Sequence, residues 1–156
     1  MDGAITKAGG LNLYSDRLAL AASPDGARCK TGGAVTTGPI TYGELRTPII
    51  IHSVGLNHKK YIGNGINGNV KLLTAYSASM RRAEEQERKY VAFSLLSAGA
   101  FCGSNRTIHQ VLKLSVQAGR DCRYKGLREV HLYGYTAKTF LALVEVAYTL
   151  GLVRCG

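Results

Sequence analysis

Residues 90–103 (YVAFSLLSAGAFCG) combine the features best suited to handling an anion. A short apolar run breaks into Gly99 and Gly103 set among small residues, and a polar, then helix-periodic segment follows from Asn105. Strand, glycine loop, helix is the natural reading. Such a turn offers free backbone N–H groups and the positive end of a helix dipole at the carboxyl end of a buried strand, where a diphosphate is favoured. The same pattern also makes an ordinary tight turn, and both readings stand at this level. Other reactive side chains offer less. Cys29, Cys102, Cys122 and Cys155 include no CxxC pair, and His52, His58, His109 and His131 make no ligand spacing with them. Reduced thiols and no metal site are expected. His52 lies inside an apolar strand pattern and reads as a hydrogen-bonded core residue, not a catalyst. Asp2 opens a helix, where the dipole favours a carboxylate with or without a chemical role.

The elements that must position the loop are legible in the periodicity. Residues 1–8 open a helix, Gly9 and Gly10 break it, and residues 11–22 form a second, with Leu11, Tyr14 or Ser15, Leu18 and Ala22 along one face. Ser23-Pro24-Asp25-Gly26 is a turn. Residues 32–37 (GGAVTT) and 47–54 (TPIIIHSV) are strands, the second continuous enough to be buried on both faces. Residues 55–69, rich in Gly and Asn, read as a polar loop. An amphipathic helix spans residues 69–88, with Leu72, Leu73, Tyr76, Met80 and Ala83 inward and RRAEEQERK outward. Beyond the glycine loop, Ile108, Val111, Leu112 and Ser115 mark a helix, residues 120–126 a basic loop and residues 129–134 (EVHLYG) a strand. Thr136 caps a last helix carrying Phe140, Leu141, Val144, Ala147 and Tyr148 on one face. This alternation predicts an α/β layered fold with a central mixed, mostly parallel sheet, whose ligands bind at the carboxyl ends of the strands. Three loops leave those ends: from Gly55, at residues 97–103, and at residues 134–136.

The 156 residues fit a single domain, and 46% hydrophobic with 19% charged residues is a globular balance. No apolar run is long enough for a bilayer span and no signal-peptide pattern is present, so an intracellular, cytoplasmic protein without a membrane partner is expected. The net charge of +10 favours polyanionic partners: nucleic acid, nucleotides or poly(ADP-ribose). Lys59–Lys60, Arg81–Arg82, Arg88–Lys89 and residues 120–128 carry the clusters, without the interleaved aromatics of a base-stacking platform. A solvated basic surface accounts for them equally well.

Three motifs stand in order: IIIHSVG (49–55), YVAFSLLSAGAFCG (90–103) and HLYGYT (131–136). With MDGAI (1–5) they resemble a macrodomain, the three-layer α/β/α fold also called the X domain in viral replicase polyproteins. The resemblance covers nearly the whole chain. CKTGGAVTTGP and HSVGLN are similar to nidovirus X domains, which would put the protein in a host cytoplasm, whereas MDGAI is similar to the GVDGAI motif of MacroD-type hydrolases. The resemblance implies binding of ADP-ribose, or of mono-ADP-ribosylated protein, without a further cofactor. It implies that Gly3, Ala4 and Ile5 line the phosphate and distal-ribose side. Leu96, Ser97, Ala98, Gly99 and Ala100 would wrap the diphosphate, Phe101 would pack on the distal ribose, Tyr135 would flank the adenine, and Val54 and Gly55 would border the cleft floor.

Some of the pattern is absent. The family's first strands, with the adenine-selecting Asp and the asparagine-rich loop, have no counterpart, and Thr6 stands where MacroD-type enzymes carry a His. An N-terminally truncated macrodomain, residues 1–156 as one unit, is therefore expected. Within the family, reader and hydrolase remain open, Asp2 being the carboxylate with a catalytic position. The alternative from charge alone is a basic module that binds RNA or poly(ADP-ribose) without catalysis.

Overall fold

The computed structural model of the chain describes residues 2–60, 65–104 and 106–152; Met1, Asn105 and Cys155 lie outside them. The elements run α1 (Asp2–Ala19), β1 (Ala34–Thr37), β2 (Ile50–Ser53), α2 (Gly65–Glu85), β3 (Tyr90–Ser94), α3 (Ile108–Asp121), β4 (Glu129–Tyr133) and α4 (Ala137–Thr149). Helix α1 is interrupted at Gly10, whose φ of 62° and ψ of −158° are not helical, so the glycine pair breaks the helix as its composition predicts. Strands β1 and β2 pair antiparallel with Val35 opposite His52, and β3 and β4 pair parallel with Phe93 opposite Leu132.

Alternation along the strands decides what lies on each side. Ala34 and Ser53 face α2: the Ser53 hydroxyl donates to the Ala75 carbonyl at 3.1 Å, and the Arg82 guanidinium to the Ala34 carbonyl at 3.2 Å. Val35, His52 and Val54 face the other way, toward α1. In β3, Val91 and Phe93 are buried in one apolar cluster with Leu72, Tyr76 and Met80 of α2, Val111, Leu112 and Val116 of α3, and Ala142 and Val146 of α4. Tyr76 and Phe93 meet edge to face, with ring centroids 5.2 Å apart. Helices α2, α3 and α4 therefore cover one side of the strands, and α1 covers the other side of β1 and β2. Thr107 and Thr136 each close a capping box, with Gln110 and Thr139, which fixes where α3 and α4 leave the ligand end of the strands. No helix among the described residues is long and apolar enough to cross a membrane.

Four expectations need correction. Helix α2 begins at Gly65, inside the stretch expected to be loop, because packing outweighs weak propensity. A Cβ on Gly68 would lie 3.3 Å from Leu56, and Arg106 donates to the Asn69 side chain. Strand β2 is half-buried along its length, since its α1-facing side borders a cleft. In α1 the inward residue is Leu13, fully buried, whereas Leu11, Tyr14 and Leu18 are exposed. In α4 the buried residues are Ala142 and Val146, and Phe140, Leu141 and Tyr148 face outward.

Candidate functional site

The loops that follow β2 and β3 are locked together. The Ser97 hydroxyl donates to the Leu56 carbonyl at 2.7 Å, and the His58 N–H donates to the Phe101 carbonyl at 2.9 Å. Ser97 takes a left-handed φ of 57°, an uncommon conformation for a residue with a side chain, which turns the chain sharply out of the strand. Gly55 makes this junction possible, because a Cβ there would stand 2.5 Å from the Ser97 hydroxyl oxygen and 3.2 Å from the Leu96 Cβ. Beneath the loop, the buried Tyr76 hydroxyl accepts from the Leu96 N–H at 2.8 Å and donates to the Ser115 hydroxyl at 2.8 Å. Burial pushes the Tyr76 pKa up to about 12. His58 is buried under the same loop, its Nε2 without a hydrogen-bond partner, and burial followed by the nearby Arg106 charge holds its pKa below the usual histidine range.

The outer side of the loop is bare by contrast. Among the described residues, none of the backbone N–H groups of residues 97–101 donates to a partner. A Cβ placed on Gly99 would meet nothing within 4 Å. Five successive unpaired donors on a rigidly anchored turn at the end of a strand form a concavity suited to an anion. Phe101 and Tyr135 are half and two-thirds exposed on the loops after β3 and β4, leaving aromatic surface at this end. Ser94 stands opposite Tyr133 in the ladder, so the chain emerging from β3 runs beside the one leading to Tyr135.

A second feature adjoins this one. A cleft of about 690 Å³ lies between α1 and the outer face of β1 and β2, lined among others by Asp2, Gly3, Arg17, Arg28, His52 and Val54. Asp2 is exposed and sits 3.7 Å from the Arg17 guanidinium, which also donates to the Thr6 hydroxyl at 2.8 Å. The His52 ring is hydrogen-bonded to the Thr37 hydroxyl at 2.9 Å, and burial, then the Arg17 charge, lowers its pKa. Its expected structural role fits this bond.

The predicted residues thus fall into two groups. Leu96, Ser97, Ala98, Gly99, Ala100 and Phe101 share the anchored loop after β3, Gly55 packs against it from the loop after β2, and Tyr135 follows the neighbouring strand. Asp2, Gly3 and Val54 line the cleft, whereas Ala4 is exposed and Ile5 half-buried on α1 and neither lines it. Val54 and Gly55 are consecutive, so the two features adjoin. Sequence reasoning singled out neither Arg17 and Arg28, brought to the cleft by a helix and a turn, nor Tyr76 and His58 as supports of the loop. Cys29, Cys102 and Cys122 are free, and no group of three metal-ligating side chains occurs among the described residues.

Comparison with known proteins agrees with this architecture. The model of the family described as Macro domain matches residues 1–112. Macro domain-containing protein TTE0995 of Caldanaerobacter subterraneus subsp. tengcongensis is 37% identical over 101 residues, 65% of this chain. That match spans about half of the relative's length (53%). A Macro domain-containing protein of Streptomyces griseus is 29% identical over 138 residues, 85% of this chain and 73% of the relative. Among solved structures, a mutant of the Oceanobacillus iheyensis macrodomain with ADPR superposes with a TM-score of 0.72 at 20% identity, covering 96% of this chain and 76% of that one. At that identity the likeness is one of fold.

Proposed function

The chain belongs to the Macro domain family, and from that premise we propose that it binds ADP-ribose, with the diphosphate on the loop of residues 97–101. The observation that carries the proposal is the row of backbone N–H groups left without partners on a turn anchored from beneath by Ser97–Leu56 and His58–Phe101. The similar Oceanobacillus iheyensis macrodomain, solved with ADPR, supports the choice of ligand. Ser97, Ala98, Gly99 and Ala100 meet the diphosphate through the main chain, so a phosphate can approach without a positive side chain. Phe101 and Tyr135 offer apolar faces to the sugar and base. Gly3 and Val54 line the cleft on the distal-ribose side, with Gly55 next to Val54, and Ala4 and Ile5 follow Gly3 on α1 without lining it. The natural target of such a site is ADP-ribose free or attached singly to protein.

Turnover is the finer part of this proposal. Asp2 is the carboxylate assigned to it, acting by orienting substrate or water at the distal ribose. Exposed at the cleft and held beside Arg17, it contributes position.

The test is calorimetric titration of ADP-ribose into the wild-type and Gly99→Glu proteins. Glutamate at an open position leaves the fold intact while placing a like charge beside the diphosphate, so binding is expected to fall below detection. Unchanged affinity in a folded Gly99→Glu protein refutes the site. In parallel, release of ADP-ribose from a mono-ADP-ribosylated protein is compared for wild type and Asp2→Ala. A catalytic Asp2 predicts a loss of rate far greater than any loss of affinity, whereas tight binding with no turnover in either protein leaves a reader.

A further inference from the structure

We propose that the buried imidazole of His58 is a pH-sensitive latch on the loop of residues 97–101: neutral, it keeps the loop in its ligand-binding form, and protonated, it releases it. This rests on the assignment of the diphosphate to that loop and adds a means of regulating it. His58 is 8% exposed and is packed between three parts of the chain. Its N–H donates to the Phe101 carbonyl at 2.9 Å, which joins the segment after β2 to the ligand loop. Gly103, at a left-handed φ of 78°, closes the loop over it. A Cβ on Gly103 would stand 3.1 Å from the His58 carbonyl carbon and 3.2 Å from the His58 Cβ. On the third side lies the first turn of α2, where a Cβ on Gly68 would come 3.7 Å from the His58 Cε1 and 3.7 Å from an Arg106 guanidinium nitrogen. Ring and guanidinium therefore share the space that a bare glycine leaves on α2.

A cation does not fit this space. In the imidazolium both ring nitrogens carry a proton, and the buried Nε2 has no acceptor among the described residues. The neighbouring charge has the wrong sign: Arg106 stands beside the ring and donates to the Asn69 side chain. None of the segments packed around the ring supplies a carboxylate, since residues 55–70 and 97–108 contain neither aspartate nor glutamate. The other charges on the His58 segment, Lys59 and Lys60, are cations as well. In the loop the titratable group is Cys102, whose Sγ lies 3.8 Å from the Arg106 carbonyl. Burial, and then the Arg106 charge, accordingly keep the ring neutral to lower pH than an ordinary histidine. An imidazolium regains hydration by leaving the space between α2 and the loop, and the bond to Phe101 opens with it.

The direction of the effect follows. In the opened form the ring titrates near the ordinary value of about 6.5, and in the closed form below it, so opening takes up a proton. Closure is complete above about pH 6.5 and loses up to about tenfold for each pH unit below it. A ligand that needs the closed loop loses affinity over the same window, and by reciprocity its binding expels the proton. The other histidines are held elsewhere: His52 by the Thr37 hydroxyl at 2.9 Å, His109 by Glu145 at 2.6 Å and His131 by Glu129 at 2.8 Å.

The test is calorimetric titration of ADP-ribose at about pH 7.5 and about pH 5.5, repeated at about pH 6 in buffers of different ionisation heat to count the protons released. Wild type should bind about 3- to 10-fold more weakly at the lower pH and should release a fraction of a proton at the intermediate one. His58→Gln should lose both responses, whereas His109→Gln, on exposed α3, should keep them. Arg106→Gln removes one of the two causes that keep the closed ring neutral, so its affinity should fall less on acidification than that of wild type. That change in the pH profile reads the latch even if His58→Gln does not fold. A second measurement needs no ligand: the protection of the His58 amide against hydrogen exchange, corrected for the intrinsic rate, should drop on acidification in wild type. If ADP-ribose fails to bind wild type at about pH 7.5, the ligand assignment falls, and amide exchange alone then decides the latch. An equal loss of affinity on acidification in wild type and His58→Gln overturns the proposal, as does a His58 amide equally protected at both pH values.

Discussion

Gly55→Ala probes the joint on which the ligand loop depends. The added methyl would stand 2.5 Å from the Ser97 hydroxyl oxygen, with the Leu96 Cβ next at 3.2 Å. No real Cβ tolerates the first distance, so Ser97 must move and its bond to the Leu56 carbonyl must break. Overpacking costs about 1–3 kcal/mol and a lost hydrogen bond about 1 kcal/mol, for a total of about 2–4 kcal/mol. In a domain of this size that lowers Tm by about 4–16 °C. Ser97→Ala removes the clashing oxygen while keeping an ordinary side chain at the left-handed position. In that background the nearest atoms left are the Leu96 Cβ at 3.2 Å and the residue-97 backbone nitrogen at 3.5 Å, and Gly55→Ala should cost less than about 1 kcal/mol, the size of the smaller core rearrangements. Denaturant unfolding of the two single variants and the double closes the cycle, with an expected coupling of about 1–3 kcal/mol. Additivity within about 0.5 kcal/mol would show that Gly55 and Ser97 do not meet as described, and the anchored loop would lose its basis.

Tyr76→Phe leaves the part-buried Leu96 N–H without its acceptor, while the Ser115 hydroxyl keeps its bond to the Val111 carbonyl, and should destabilise by about 1–3 kcal/mol in urea unfolding, with weaker ADP-ribose binding because the loop loses its lower support. Because the folded pKa of Tyr76 is raised to about 12, its contribution is complete below pH 10 and is lost as pH rises toward 12. The wild-type alkaline limb should therefore be steeper than that of Tyr76→Phe, and identical limbs would refute the burial of the hydroxyl. His58 and His52 titrate in the opposite sense. Their folded pKa values are lowered, so stability is full above about pH 6.5 and falls on acidification, as the unfolded chain takes up protons first. Urea midpoints at neutral and mildly acidic pH should separate less in His58→Gln than in wild type, and equal separation would count against the buried neutral imidazole.

What the sequence revealed depended on how strongly each segment's pattern was phased. The segment around β3 was legible because a short apolar run ends in glycines, a pairing that few structures other than a strand and turn accommodate. Helices α2 and α3 were equally plain, since Leu72, Tyr76 and Met80, and then Val111, Leu112 and Ser115, repeat against charged neighbours. Helix α4 carries Phe140, Leu141, Ala142, Leu143, Val144, Val146 and Ala147, so apolar side chains surround its axis and the periodicity holds no phase. Only packing against α3 and β3 selects Ala142 and Val146 as the inner pair. The early start of α2 was hidden for a different reason, because Gly and Asn are poor helix formers and the contacts that hold them, Leu56 and Arg106, are distant in sequence. Arg17 and Arg28 reach the cleft for the same nonlocal reason.

The positions of the charges also determine how the net charge of +10 should be interpreted. Residues 95–103 contain no lysine or arginine, so a diphosphate on that loop is held by main-chain donors, and few counterions are released when it binds. Arg88, Lys89, Arg123, Lys125 and Arg128 lie at the other end of β3 and β4, and Lys7, Arg17 and Arg28 line the α1 cleft. A long polyanion crossing the Lys89–Arg128 rim displaces counterions in proportion to the phosphates it places there. One salt series therefore separates the two kinds of binding: ADP-ribose affinity should change little across it, whereas any affinity for a polyanion held by surface cations should fall by orders of magnitude. The basic composition accordingly bears on polyanion binding and says little about the proposed ADP-ribose site, which is built from uncharged backbone geometry held by Gly55, Ser97 and Tyr76.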